Sequence, residues 1–263
     1  MPRPAPVDPT LVDWLDAQVR GQAPPEDLLA RAPGLTIAAA YGLQLALRDR
    51  RVAAGDRLIG YKAALTSLAV QRDVGVDEPY FGCLMASGLW PEEAPVSLAG
   101  VPRAIVEQEI AVLLKADLPG PGVTPAEALG AVAGFLPAIE VGFGRVERQR
   151  RSHQMSIAGS KFSSGIIVGQ PLTPPHGLDL RYEGMTLTVN GTPVASGTAV
   201  EVLGGPLNSL AAMANHYAAL GEPLRAGQLL MTGSVCAASP VRAGDRVAVT
   251  FTRLGTVQVR FTA

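Results

Sequence analysis

Apolar residues recur at three- and four-residue spacing near the start of the chain. Leu11, Trp14, Leu15 and Val19 mark one helical run, and after a proline-bearing break a second extends from Ile37 to Arg51. From Asp56 the period shortens. Ala104 to Leu114 reads as a strand that places Ile105, Glu107, Glu109 and Ala111 on one face. Thr124-Pro125-Ala126-Glu127 has the form of a capping box with proline at the first helical position, which predicts a helix to about Gly134 and then a strand through Pro137 to Val141. Met185, Leu187 and Val189 alternate with threonines up to Asn190-Gly191, a pair that tolerates positive φ and suits a hairpin turn. Asn208 is the expected cap of a helix with Leu210, Met213, Ala214 and Tyr217 on its apolar stripe and Gly221 as its stop. Val247, Val249 and Phe251 then alternate, Leu254-Gly255 turns the chain, and Val257, Val259 and Phe261 alternate again. The expected class is α+β, with a helical lobe over 1–55 and a mixed-β domain over 56–263.

At 263 residues, 48% hydrophobic and 17% charged, the chain can bury a sizeable core. Twenty-two basic against 23 acidic residues leave a formal charge of −1, which gives no footprint for nucleic acid or an anionic membrane, so a small molecule is the expected partner. Cys83 and Cys236 are far apart and lack metal or redox spacing, as expected in a reducing cytoplasm. The first residues carry no apolar signal core, and no run approaches the ~18–20 apolar residues of a membrane span.

Chemistry concentrates in three acids. Glu107 and Glu109 lie two apart in a strand, so their carboxylates project from one face roughly 6–7 Å apart, close enough for one cation to bridge. Glu140 sits in another apolar run, Phe135 to Val141. Three hard oxygen donors suit magnesium or manganese and leave room for substrate. The competing reading makes Glu107 and Glu109 the solvated face of an amphipathic strand and Glu140 a strand-end salt bridge. Lys62, between small and apolar residues, is a candidate for proton transfer, although a lone lysine also reads as a surface side chain lying along apolar neighbours. His153, His176 and His216 show no ligand-like spacing and are expected to be structural.

Seven ordered motifs together resemble the fumarylacetoacetate hydrolase superfamily, in its branch of 2-oxopent-4-enoate hydratases and 4-oxalocrotonate decarboxylases. They are Gly60-Tyr61-Lys62 with Leu65-Thr66-Ser67, Gly75 to Pro79, Glu107 to Ala111, Leu136 to Glu140, Leu203 to Asn208, Leu220 to Leu224, and Leu230-Met231-Thr232-Gly233. The resemblance implies a mixed β roll or barrel-like fold, a homo-oligomer, and magnesium or manganese held by Glu107, Glu109 and Glu140. It implies an ion that chelates the carboxylate and 2-oxo group of a small unsaturated 2-oxo acid. Lys62 matches a proton-shuttling lysine, and Thr232-Gly233 matches a turn that contacts the substrate carboxylate. Ser67 joins the implied substrate-binding set and Ser163 the catalytic set. Hydration of a 2-hydroxypenta-2,4-dienoate and decarboxylation of a 4-oxalocrotonate share this electron sink.

Two departures stand out. Where the family usually has an aspartate before an aromatic residue and glycine, this chain has Tyr80-Phe81-Gly82; a phenol with a pKa near 10 is a poor base at neutral pH. Where the branch has aspartate-asparagine, this chain has Ser160-Lys161, which brings Lys161 into the candidate catalytic set beside Tyr80. Lys161 motivates an acylpyruvate-type C–C hydrolase as the alternative. The loss of two polar positions motivates another, a noncatalytic subunit in complex with a pathway enzyme of a hydratase–decarboxylase pair.

Overall fold

The computed structural model describes residues 7–144, 152–159 and 164–263. The chain opens with α1 (Pro9–Arg20), α2 (Leu28–Arg31) and α3 (Ile37–Ala53), followed by β1 (Leu58–Ala64), α4 (Leu68–Val74), β2 (Tyr80–Met85), β3 (Leu89–Trp90) and β4 (Val96–Ser97). The long strand β5 (Ala104–Leu114) leads through α5 (Pro125–Gly130) to β6 (Val132–Phe143), α6 (His153–Ala158) and β7 (Gly165–Val168). The hairpin β8 (Gly184–Val189) and β9 (Thr192–Thr198) precedes α7 (Pro206–Ala219), β10 (Leu229–Ser234), β11 (Ser239–Val241), β12 (Arg246–Phe251) and β13 (Gly255–Thr262).

An eight-stranded mixed sheet in the order β2-β1-β10-β5-β6-β7-β3, with β11 also on β5, forms the body. A five-stranded sheet, β4-β13-β12-β8-β9, packs beside it. Side chains alternate across each strand, so the large sheet has two chemically different faces. One packs on α3, α6 and α7 through Tyr61, Phe81, Val106, Ile110 and Val112. The other carries a smaller apolar cluster of Ile59, Leu84, Ala111, Ala138, Ile166 and Met231. Leu15, Leu28, Tyr41 and Leu43 of the N-terminal helices share the main apolar cluster with the sheet.

The capping box at Thr124 forms as its sequence predicts, but its helix stops at Gly130 and β6 begins at Val132 rather than near Pro137. The cause is register: β6 pairs with β5 back to Leu114, and that ladder outcompetes a longer helix. Asn190 and Gly191 both take positive φ and close the β8–β9 hairpin. Asn208 does not cap its helix. Gly205 holds that position and Pro206 opens α7, while the Asn208 amide donates to the carbonyl of Leu203.

Candidate metal centre

Register between three strands assembles the centre. In the β5–β6 ladder Glu107 stands opposite Glu140, and Glu109 opposite Ala138. One strand further, β10 aligns Met231 with Ala111, and β1 aligns Lys62 with Met231. Paired residues point the same way, so Glu107, Glu109, Glu140 and Lys62 share the face of the sheet that the small apolar cluster also occupies.

One carboxylate oxygen from each glutamate lies within 4.8 Å of the others. Glu109 and Glu140 are buried and Glu107 is partly exposed. This burial excludes the solvated-strand reading for Glu109, and Glu140 does form the ion pair of the competing reading, with Lys62 and fully buried. The Lys62 ammonium, itself buried, donates to Glu140 Oε1 at 2.7 Å, so Lys62 is an ion-pair partner within the sheet and not a surface side chain. Glu140 Oε2 is buried with no hydrogen-bond partner among the described residues. The N–H of Gly233 donates to Glu109 Oε2 at 2.8 Å and aims that carboxylate.

Burial, with the neighbouring Glu140 and Glu107 charges, pushes the Glu109 carboxyl well above the usual carboxylate range. Burial also raises Glu140, against the pull of Lys62. Three ionised carboxylates and one ammonium sum to −2 in a poorly hydrated place, a charge that one divalent cation neutralises. The orphan oxygen of Glu140 and the all-carboxylate donor set fit a hard ion such as magnesium or manganese.

The other expected residues fall into three groups. Tyr80 is buried on β2 opposite Ala64, within the main apolar cluster and with its ring against His153 of α6. Ser67, partly exposed, holds the N-cap position of α4 with no capping bond from its hydroxyl. The polar groups of Thr232 and Gly233 are engaged inside the protein: the Thr232 hydroxyl donates to the Ile110 carbonyl at 2.8 Å, and Gly233 holds Glu109. Lys161 and Ser163 lie outside the described residues, as does Ser160.

Two contributors were not singled out from the sequence. Thr66 packs so closely on Gly233 that a Cβ at 233 would strike its hydroxyl, and Gly60 brings β1 so near β10 that a Cβ there would strike the Leu229 carbonyl. Both stand inside quoted motifs. Positive φ and close approach are the physical reasons for the two glycines.

Residues 57–262 match the family model for the fumarylacetoacetate (FAA) hydrolase C-terminal domain. The chain belongs to the fumarylacetoacetate hydrolase family. Within that family it is 35% identical to 2-hydroxyhexa-2,4-dienoate hydratase of Comamonas testosteroni, over 88% of each chain. It is also 35% identical to 4-oxalocrotonate decarboxylase of Pseudomonas putida, over 87% of each chain. The solved 4-oxalocrotonate decarboxylase from Pseudomonas putida G7, complexed with magnesium and adipate, superimposes with a TM-score of 0.91 at 32% identity, over 96% of both chains. No helix among the described residues is long and apolar enough to cross a membrane.

Proposed function

We propose that this member of the fumarylacetoacetate hydrolase family is a metal-dependent lyase of small unsaturated 2-oxo acids, acting as a hydratase of 2-hydroxypenta-2,4-dienoate type or a decarboxylase of 4-oxalocrotonate type. The observation that carries the reading is the largely buried Glu107–Glu109–Glu140 cluster, open only at Glu107, with Lys62 against it on one sheet face. The relatives' names, hydratase and decarboxylase, and the magnesium in the solved decarboxylase support it.

In this reading Glu107, Glu109 and Glu140 hold magnesium or manganese. When bound, such an ion supplies a Lewis acid for the substrate's 2-oxo and carboxylate oxygens. The chain's own groups do the remaining work. Gly233 keeps Glu109 aimed inward through its N–H. Lys62, on the same face and donating to Glu140, is assigned the proton-transfer role at Nζ and would stabilise the negative charge that grows on the substrate. The Ser67 hydroxyl, which makes no capping bond, is assigned to the substrate carboxylate, and Thr232 anchors β10 to β5 through the Ile110 carbonyl. Lys161 and Ser163 complete the proposed set.

An ultraviolet assay of the purified chain with magnesium or manganese tests this. The substrates are 2-hydroxydienoates, 4-oxalocrotonate and acylpyruvates. Chelator-sensitive turnover of the first or second class is the expected result. Pyruvate release from acylpyruvates alone would replace the lyase with a C–C hydrolase.

A further inference from the structure

The register of β10 slips where the strand passes the carboxylates. Met231 pairs with Ala111 and Ser234 with Glu109, so β10 carries one residue more than β5 between those two pairs. The slip turns the Gly233 N–H out of the regular ladder and onto a side chain, the Glu109 carboxylate, at 2.8 Å. Thr232 beside it is fixed at both ends: its hydroxyl donates to the Ile110 carbonyl, and its own carbonyl accepts from the Ser209 hydroxyl of α7 at 2.7 Å.

What lies over Gly233 is Thr66. A methyl group built on Gly233 would overlap Thr66 Oγ1 and come within 2.6 Å of Cγ2 and 2.8 Å of Cβ, so the buried threonine side chain covers the glycine with both of its branches. Thr66 is clamped in turn from two directions. Leu65, just before it, leaves β1 at a φ of 56°, and its carbonyl accepts from the buried Gln71 amide of α4 at 2.6 Å. The Thr66 carbonyl accepts from the Leu203 N–H at 2.9 Å. Leu203 itself stands at a φ of 51°, with its carbonyl held by the Asn208 amide. Among the described residues the other non-glycine at positive φ is Asn190, whose hairpin turn accounts for it. Neither leucine has that local reason. A bulky residue in the left-handed region is strained and stays there only when its surroundings over-determine it, a condition met most often at functional sites. Both strained leucines bear on one residue, Thr66.

We propose that Thr66 is a positioning residue of the metal centre: clamped between Leu65 and Leu203, its side chain fixes the Gly233 N–H, and through it the Glu109 carboxylate, in the orientation that binds the ion. The assignment rests on the reading of Glu107, Glu109 and Glu140 as metal ligands and deepens it. The physical need is clear from the charges. The Glu140 and Glu107 carboxylates repel Glu109, and the Gly233 N–H draws it the other way. Glycine has the widest backbone freedom of any residue, so that N–H would swing unless its neighbour blocked it. Thr66 blocks it by shape. A β-branched side chain is stiff at χ1, which keeps both branches against the glycine. The same contacts tie Glu109 to α4 through Gln71 and to α7 through Ser209, two elements that contribute no carboxylate to the centre.

The test reads manganese affinity of the full chain by titration calorimetry, well below the melting temperature, where affinity follows the aim of Glu109 and not the stability of the fold. Thr66→Ala removes both branches and should weaken manganese binding by about tenfold, the lower end of what a metal site loses with an outer partner. Thr66→Val restores the shape without the hydroxyl, and its affinity should return to the wild-type value. Thr66→Ser removes the methyl alone and should fall between alanine and wild type, which keeps the question decidable if Thr66→Ala does not fold. Wild-type affinity in folded Thr66→Ala or Thr66→Ser overturns the inference and leaves the metal centre standing. So does a Thr66→Val that binds as weakly as Thr66→Ala, because shape would then not be what Thr66 supplies. A wild-type chain that binds no manganese overturns the metal reading and this inference together.

Discussion

Glu109 combines three properties that no single neighbour explains: it is buried, it lies beside two other carboxylates, and its Oε2 accepts the N–H of Gly233. Replacing it with glutamine keeps the shape and removes one charge. Glu109→Gln should therefore lose manganese affinity by tenfold or more, on the scale of about 1.4 kcal/mol per factor of ten, with an unchanged circular dichroism spectrum. Titration calorimetry reads the loss, and wild-type affinity would remove Glu109 from the centre. His216 makes a second, separate prediction. Its ring is packed among Tyr41, Phe81 and Tyr217, its Nε2 is buried without a partner among the described residues, and burial lowers its pKa to about 4. The unfolded chain binds this proton below about pH 6.5, whereas the folded chain resists it until about pH 4, so stability falls as pH falls through that window. His216→Phe should remove this slope and melt later than wild type at pH 5, by on the order of 2 kcal/mol. Parallel slopes in thermal melts from pH 7 to 4.5 would refute it.

The elements explain why these side chains meet. β5 and β6 run side by side from Ala104–Phe143 to Leu114–Val132, and one residue of slip would send Glu140 to the opposite face. The β1–β10 pair is the other constraint, because Lys62 reaches Glu140 only while β1 lies tight against β10. Gly60 makes that approach possible, and Gly60→Ala should push the strands apart, costing about 3 kcal/mol or more. Gly233→Ala meets Thr66 and a φ of 111° unsuited to alanine, and it also disturbs the donor to Glu109. Both variants should lose metal-dependent turnover. Only Gly60→Ala is expected to do so mainly through stability, which denaturant melts separate from an affinity defect.

For the whole molecule, three clustered carboxylates inside an apolar sheet, whose burial resists ionisation until a cation offsets their charge, couple metal to folding. An ion that binds the folded chain alone at about 100 times its Kd adds about 2.7 kcal/mol. For a chain of this size that is a rise in melting temperature of roughly 5–10 °C, reversed by chelator. An unshifted melt with manganese would deny the centre its ion. Much of this molecule is legible in the order of its residues. Alternation foretold β5, β8, β12 and β13, the Asn190-Gly191 pair foretold its hairpin, and the two acids in β5 foretold a shared face, because period and turn chemistry are local properties. The seven motifs carried the family. The end of α5, the cap of α7, the partner of Lys62 and the neighbours of Tyr80 were not legible. Each depends on which strand or helix lies alongside, and pairing across 78 residues, as between Lys62 and Glu140, leaves no local periodic trace. The sequence by itself determined which chemical groups the protein could use. Tertiary register alone decided that three carboxylates and one ammonium share a buried face, since only long-range pairing could bring like charges together and keep water from them.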